Sequence, residues 1–271
     1  MTFEIQDLNE NNMDVYLSCG CSPQDSRITD KIRAAQQIKR KWAEDTFAKG
    51  LGAKIAFDDG YPAGFAEFLP IKVAPAPVQG EGLLFISDIH VNDDDDGGKI
   101  DYQGKGLGRA LVQSIETHAR EHGSKGLATL ALDGPWMPAA FYERLGFAIV
   151  DRVGPMRLLW KPFSESAPPQ LRKGNFKPTV GENVVHIDLI YSSQCWGMVL
   201  QAQTWRRIAA EHPGRVVVHE HLADDRRVMS LDCMTGSIGV YVDGVRGPGH
   251  PIDEPGMREL LQVALDKRES R

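Results

Sequence analysis

Three glycines in five residues, Gly104, Gly106 and Gly108, stand between an apolar run and an amphipathic one, and no other stretch limits the fold of this chain as strongly. Without Cβ atoms, such residues let the backbone turn tightly and come close to a ligand. Before them, Leu83–Val91 is apolar and rich in Ile and Leu, which predicts a buried central strand. After them, Leu107, Ala110, Leu111 and Ile115 form a helical stripe over Leu107 to His122, ended by Gly123. A glycine turn at a helix N-terminus gathers several N–H groups and the positive end of the helix dipole, so a pyrophosphate suits it. The same residues also suit a plain strand-to-helix turn. A dinucleotide fold fits poorly, because the pattern is not Gly-x-Gly-x-x-Gly and does not follow the first strand. No Gly-Lys-Ser/Thr ends the turn, so a P-loop fits poorly too.

The remaining elements predict a mixed α/β unit over residues 1–162. Phe3 and Ile5 suggest a short first strand, and Arg27 to Lys49 a helix stopped at Gly50. Asp59-Gly60 between Ala53–Phe57 and Ala63–Leu69 signals a hairpin. Leu127–Leu132 reads as a strand, Ala139–Leu145 as a short helix, and Phe147–Val153 with Met156–Trp160 as a final strand pair. Residues 163–183 are rich in Pro, Gly and polar residues and read as a linker. Over 184–271 the alternation restarts: strand Val184–Tyr191, helix Met198–Glu211, strands Val216–Glu220 and Ile238–Val242, and helix Glu254–Asp266.

Charge removes several functions. Residues 1–162 carry 18 basic and 23 acidic side chains (−5) and the remainder is −1, so neither part is a basic nucleic-acid surface. The apolar runs are strand-sized, so none spans a membrane. No basic region followed by an apolar stretch opens the chain, and four Cys make no secreted disulfide framework, so a cytoplasmic protein is expected.

Gln103-Gly-Lys-Gly-Leu-Gly108 resembles the Gln/Arg-x-x-Gly-x-Gly/Ala signature of the GNAT superfamily of N-acetyltransferases. Ile89-His-Val91 resembles the family's Leu-x-Val strand end, and Ala140-Phe-Tyr-Glu-Arg-Leu-Gly-Phe147 its second motif. The chain departs in the connection: eleven residues, including Asp93 to Asp96, separate Val91 from Gln103 where the family has a handful. Four carboxylates would repel an anionic cofactor, so that run is expected to face solvent.

The resemblance implies a mixed, mostly antiparallel central sheet of the acyl-CoA N-acyltransferase type, with central strands that splay apart. It also implies acetyl-CoA as cosubstrate, no metal, and a small-molecule or peptide amine as acceptor; a homodimer stays open. Main-chain groups of Ile89 and Val91 would pair with the pantetheine arm. Amides of Gln103, Gly104, Lys105, Gly106, Leu107, Gly108 and Arg109 would hold the pyrophosphate. Tyr142 would face the CoA sulfur as proton donor, or else merely pack on Phe141. An alkyl amine with a pKa near ~10 is mostly protonated at pH 7, so attack on a thioester needs a proton acceptor, often through water. Asp88, His90, Glu67 and Asp133 are the choices, and we select Asp88. A CoA-binding sensor without turnover is the alternative.

Residues 184–271 resemble a thioredoxin-like fold of the group with a YoaP-type C-terminal domain. Ser192-Ser-Gln-Cys195 puts Cys195 at a helix N-terminus, and Gly236 to Gly244 resembles that fold's hairpin. Met198 replaces the resolving Cys and no proline precedes Ile238, which argues against a dithiol oxidoreductase; a monothiol role for Cys195 ranks third. His118-Ala-Arg-Glu-His122 matches an inverted zinc motif but suits a helix C-terminus equally, and Cys19-Gly-Cys21 supplies only two ligands.

Overall fold

Asp59-Gly60 sets up the first long pairing. Both residues take left-handed φ, 47° and 76°, as a two-residue hairpin requires, and they join β2 (Gly52–Asp58) to β3 (Tyr61–Pro70). A computed structural model of the chain describes residues 3–93, 101–134, 137–172, 176–224, 239–247 and 252–269. The chain divides into two compact units, one comprising Met1–Gln36, Arg40–Ala74 and Val78–Leu171, the other Gln37–Lys39, Pro75–Pro77 and Arg172–Arg271.

The first unit contains β1 (Glu4–Asp7), α1 (Met13–Leu17), α2 (Asp30–Phe47) apart from Gln37–Lys39, the β2–β3 hairpin, and β4 (Val78–Gln79). After them come β5 (Leu83–Val91), α3 (Leu107–Glu121), β6 (Gly126–Leu132), α4 (Ala139–Glu143), β7 (Ala148–Val153), β8 (Met156–Pro162) and β9 (Gln170–Leu171). Seven strands form one sheet in the order β1-β2-β3-β5-β6-β8-β7. Every pairing in it is antiparallel except β5 with β6, so the unit is mixed α/β with a large, mostly antiparallel sheet. Helix α3 packs on the sheet through Leu107, Leu111, Val112, Ile115 and Ala119; of the predicted stripe Leu107, Leu111 and Ile115 are buried, and Ala110 is half-buried.

Two local readings shift. Helix α2 begins at Asp30 and not Arg27, because Thr29 caps it by accepting from the Ile32 amide at 3.4 Å. The strand β9, inside the stretch read as linker, pairs with β4, and the Leu171 amide donates to Asp151 Oδ2 at 2.9 Å. Compact structure therefore continues nine residues past Pro162.

The second unit contains β10 (Val185–Tyr191), α5 (Trp196–Ala210), β11 (Val216–Leu222), β12 (Gly239–Val242), β13 (Val245–Arg246) and α6 (Glu254–Glu269). Its sheet runs β11-β10-β12-β13, with β10 parallel to β11 and antiparallel to β12. Buried Val185, Ile187, Leu189, Trp205, Ile208, Leu261 and Leu265 supply its core. Asp188 is buried and accepts from the Thr179 amide at 2.7 Å, the Thr179 hydroxyl at 3.1 Å and His221 Nε2 at 2.8 Å. Helix α5 starts at Trp196, two residues before the periodicity predicts, with Cys195 as extended N-cap. Cys233 and Ile238 lie outside the described residues. Among the described residues, no helix is long and apolar enough to cross a membrane.

Candidate active site

The sheet opens at its centre. Strands β5 and β6 pair from Leu83↔Gly126 to Ile86↔Thr129 and no further. Beyond that point β5 continues on β3 alone and β6 on β8 alone, so Ser87–Val91 and Leu130–Leu132 diverge. The Asn92 amide bonds back to Ala63 O at 3.0 Å. Alternation along an antiparallel ladder then turns the main-chain groups of Ile89 and Val91 the other way, to the open edge.

The register of β5 depends on a bulge. Glu67 pairs with Asp88 and Phe68 with Ile86, leaving Ser87 as the extra residue. Without it, period two would put 84, 86, 88 and 90 on one face. With it, Leu84, Ile86, Ile89 and Val91 all pack in the α3-side core, and Asp88 and His90 go to the opposite face. Three side chains pin this bulge. Ser87 Oγ donates to Glu67 Oε1 at 2.6 Å and Tyr16 Oη to Glu67 Oε2 at 2.5 Å, all three residues being buried. Burial, reinforced by the Glu67 charge and hydrogen bond, pushes the Tyr16 phenol well above its ordinary pKa, so it stays a donor.

The glycine turn closes the other side. Gly104 and Gly106 have φ of 70° and 86°, and Gly106 is the N-cap of α3 with no side-chain cap. Among the described residues, the amides of Gly104 through Arg109 have no hydrogen-bond partner. The Gln103 amide is occupied by Asp101 Oδ1 at 2.7 Å, so the run of available donors begins at Gly104. Among the described residues, a Cβ at Gly104 or Gly106 would meet nothing within 4 Å. At Gly108 the reason for glycine is different: a Cβ would lie 3.2 Å from Phe141 Cζ, so this residue also lets α4 pack against α3.

Tyr142, from α4, is 1% exposed and packs edge-on against Phe141 and Phe147, and among the described residues its hydroxyl has no hydrogen-bond partner. The neighbouring Thr129 hydroxyl is directed to the Ile86 carbonyl at 3.0 Å. Burial pushes the Tyr142 pKa up, the nearby Thr129 hydroxyl opposes it in part, and the charge of Asp88 adds a smaller upward push, so the phenol keeps its proton. Asp88 is half-buried and within electrostatic reach of both Tyr142 and Tyr16. Of the other carboxylates weighed as base, Glu67 holds the bulge, and Asp133 is exposed and ion-paired with Arg157. His90 is half-buried opposite Phe65.

Asp93 is half-buried and accepts from Gln103 Nε2 at 2.9 Å, so it does not simply face solvent; Asp94 to Asp96 lie outside the described residues. His118 and His122 stack at 4.0 Å, and His122 Nδ1 contacts the His118 carbonyl at 2.8 Å, a helix-end arrangement. Lys105 and Arg109 are exposed beside the turn. Tyr16, Ser87 and Asn92 escaped the sequence reading. The bulge was legible in principle, as a break in period from 84 and 86 to 89 and 91.

An open pair of central strands, a turn of unpartnered amides and a buried phenol without a partner together fit a CoA thioester. Residues 20–147 match the profile of the acetyltransferase (GNAT) family. Similar solved structures include the PaiA N-acetyltransferase of Thermoplasma acidophilum in complex with coenzyme A, 15% identical, covering 60% of this chain and 100% of that one, with a TM-score of 0.44. A GNAT family acetyltransferase from Brucella melitensis in complex with acetyl-CoA is 17% identical over 62% of this chain and 92% of its own, TM-score 0.41. The ribosomal-protein-S18-alanine N-acetyltransferase of Escherichia coli is 19% identical over 61% and 97%, TM-score 0.40. No curated protein matches the chain.

Proposed function

We propose that the first unit transfers an acetyl group from acetyl-CoA to a primary amine by direct attack. Acetyl-CoA would supply the activated acetyl group as a thioester. The observation that carries this reading is the unpartnered, fully buried Tyr142 hydroxyl beside the open strands. A buried donor without a partner costs about 1–3 kcal/mol, which a ligand accepting its hydrogen bond would recover. In this reading the amides of Gly104 to Arg109 hold the pyrophosphate, with Ile89 and Val91 pairing to the pantetheine arm. Tyr142 donates toward the departing sulfur, and Asp88 receives the amine proton directly or through water. The acceptor is a small molecule or a peptide amine. Thiol release over a panel of amines, amino acids and aminoglycosides tests it: turnover that disappears in Tyr142→Phe and Asp88→Asn supports the assignment, and CoA binding with no turnover on any amine refutes transfer.

We infer in addition that residues 184–271 are thioredoxin-like. What supports this is the element order β10-α5-β11-β12-β13-α6, the strand order β11-β10-β12-β13 with one parallel pair, and Cys195 at the N-cap of α5. Met198 stands where a resolving Cys would, so the chemistry is not that of a dithiol.

A further inference from the structure

We propose that Asn92 is the positioning residue that sets the separation between the pantetheine strand and the pyrophosphate turn; this rests on the acetyl-CoA reading above. The two half-sites are joined by an unusually long connection, eleven residues from Val91 to Gln103. An unconstrained chain of that length has a root-mean-square span of roughly 18 Å, so covalent linkage alone leaves the turn without a fixed place. The structure closes the base of that connection at Asn92, the first residue after β5. Its carbonyl accepts from the Tyr102 amide at 2.9 Å, directly ahead of the glycine turn. The next rung is Gln103 Nε2 to Asp93 Oδ2 at 2.9 Å.

Asn92 itself is 2% exposed and anchored on every polar atom. Its amide donates to Ala63 O at 3.0 Å. Its Nδ2 donates to Gly20 O at 2.9 Å and to Pro62 O at 3.1 Å, and its Oδ1 faces the Cys21 thiol at 3.8 Å. Those anchors come from the segment after α1 and from β3, both firmly placed: a Cβ on Gly20 would come within 2.8 Å of the Gly64 backbone. Aspartate could not substitute, because it lacks the two donors and would bury a charge. Asn92 thus replaces a short covalent connection with a hydrogen-bonded one, and the turn amides stay in register with Ile89 and Val91.

A ligand that spans two sites gains from their fixed spacing, whereas a fragment occupying one site does not. Isothermal titration of the full chain with CoA and with 3′-phospho-ADP, the half that reaches only the turn, separates these. Asn92→Ala is expected to raise the CoA Kd at least tenfold and to leave the 3′-phospho-ADP Kd within twofold of wild type. A CoA Kd within twofold of wild type overturns the proposal, as does an equal rise for both ligands, which would make Asn92 a general structural residue. Should Asn92→Ala not fold, amide hydrogen exchange on the wild-type chain decides. The Tyr102 amide is expected to be protected like the β5 amides, and exchange at the unprotected rate overturns the closure. A wild-type chain that binds neither ligand refutes the cofactor reading itself, and the Tyr102 amide still reports on the closure.

Discussion

Tyr142→Phe separates stability from function in one atom. The substitution keeps the ring, and with it the edge contacts to Phe141 at 4.9 Å and Phe147 at 5.5 Å. It removes only a buried hydroxyl that has no hydrogen-bond partner among the described residues. A satisfied tyrosine would lose a hydrogen bond, whereas here the desolvation penalty of an orphaned donor is relieved, about 1–3 kcal/mol. The variant should therefore be as stable as wild type or more so, by about 2–4 °C in Tm for each kcal/mol in a unit of this size. If the hydroxyl donates to the departing sulfur, kcat should fall by about 10²–10⁴ in the same protein. Thermal melts followed by circular dichroism and thiol-release kinetics measure the two effects. A lower Tm would mean that the hydroxyl has a partner in the free protein and refute the packing argument. A wild-type kcat would remove Tyr142 from the chemistry.

Four further outcomes follow from the same geometry. Gly106→Ala places a side chain at φ 86°, where an L-residue costs about 1–2 kcal/mol, and it misaligns the turn amides; urea unfolding should show that loss and titration a CoA Kd at least tenfold weaker. Glu67→Leu strands the buried Tyr16 and Ser87 hydroxyls and should cost about 2–5 kcal/mol, while Glu67→Gln keeps an acceptor and should cost clearly less; equal losses would show that the bulge is not pinned there. Asp188→Ala leaves the Thr179 amide and His221 without their acceptor and should destabilise the second unit by about 2–4 kcal/mol in urea, with acetyl-CoA binding unchanged. Burial, aided by His122 and Lys54, lowers the His118 pKa, so the unfolded chain binds more protons there: this stability is complete above about pH 6.5 and declines as pH falls through that value, and His118→Gln should flatten the decline in Tm measured between pH 7.5 and 5.5.

Much of the framework is written in local chemistry. The Asp59-Gly60 hairpin, the extent of β5 and the start of α3 at Leu107 depend on φ preferences and side-chain period, which act within a few residues. So does the glycine turn, whose positive φ values at Gly104 and Gly106 only glycine adopts readily. The functional detail sits at longer range. Tyr16 reaches Glu67 across 51 positions, and Asn92 reaches Gly20 across 72. Neither contact has a local pattern, because it exists only once the strand register is chosen, and that register turns on one inserted residue, Ser87. The amphipathic run over 107–122 announces a helix, but not that Gly108 must make room for Phe141 from a later element. Sequence alone determined most of the long strands, helices and turns, since those are decided by sterics between near neighbours, but not the short α1, β4 and β9. The tertiary structure alone decided that Tyr142 has no partner, that Glu67 holds the bulge, and that Asn92 shortens an eleven-residue connection, since burial and pairing between distant residues depend on the whole sheet being in place.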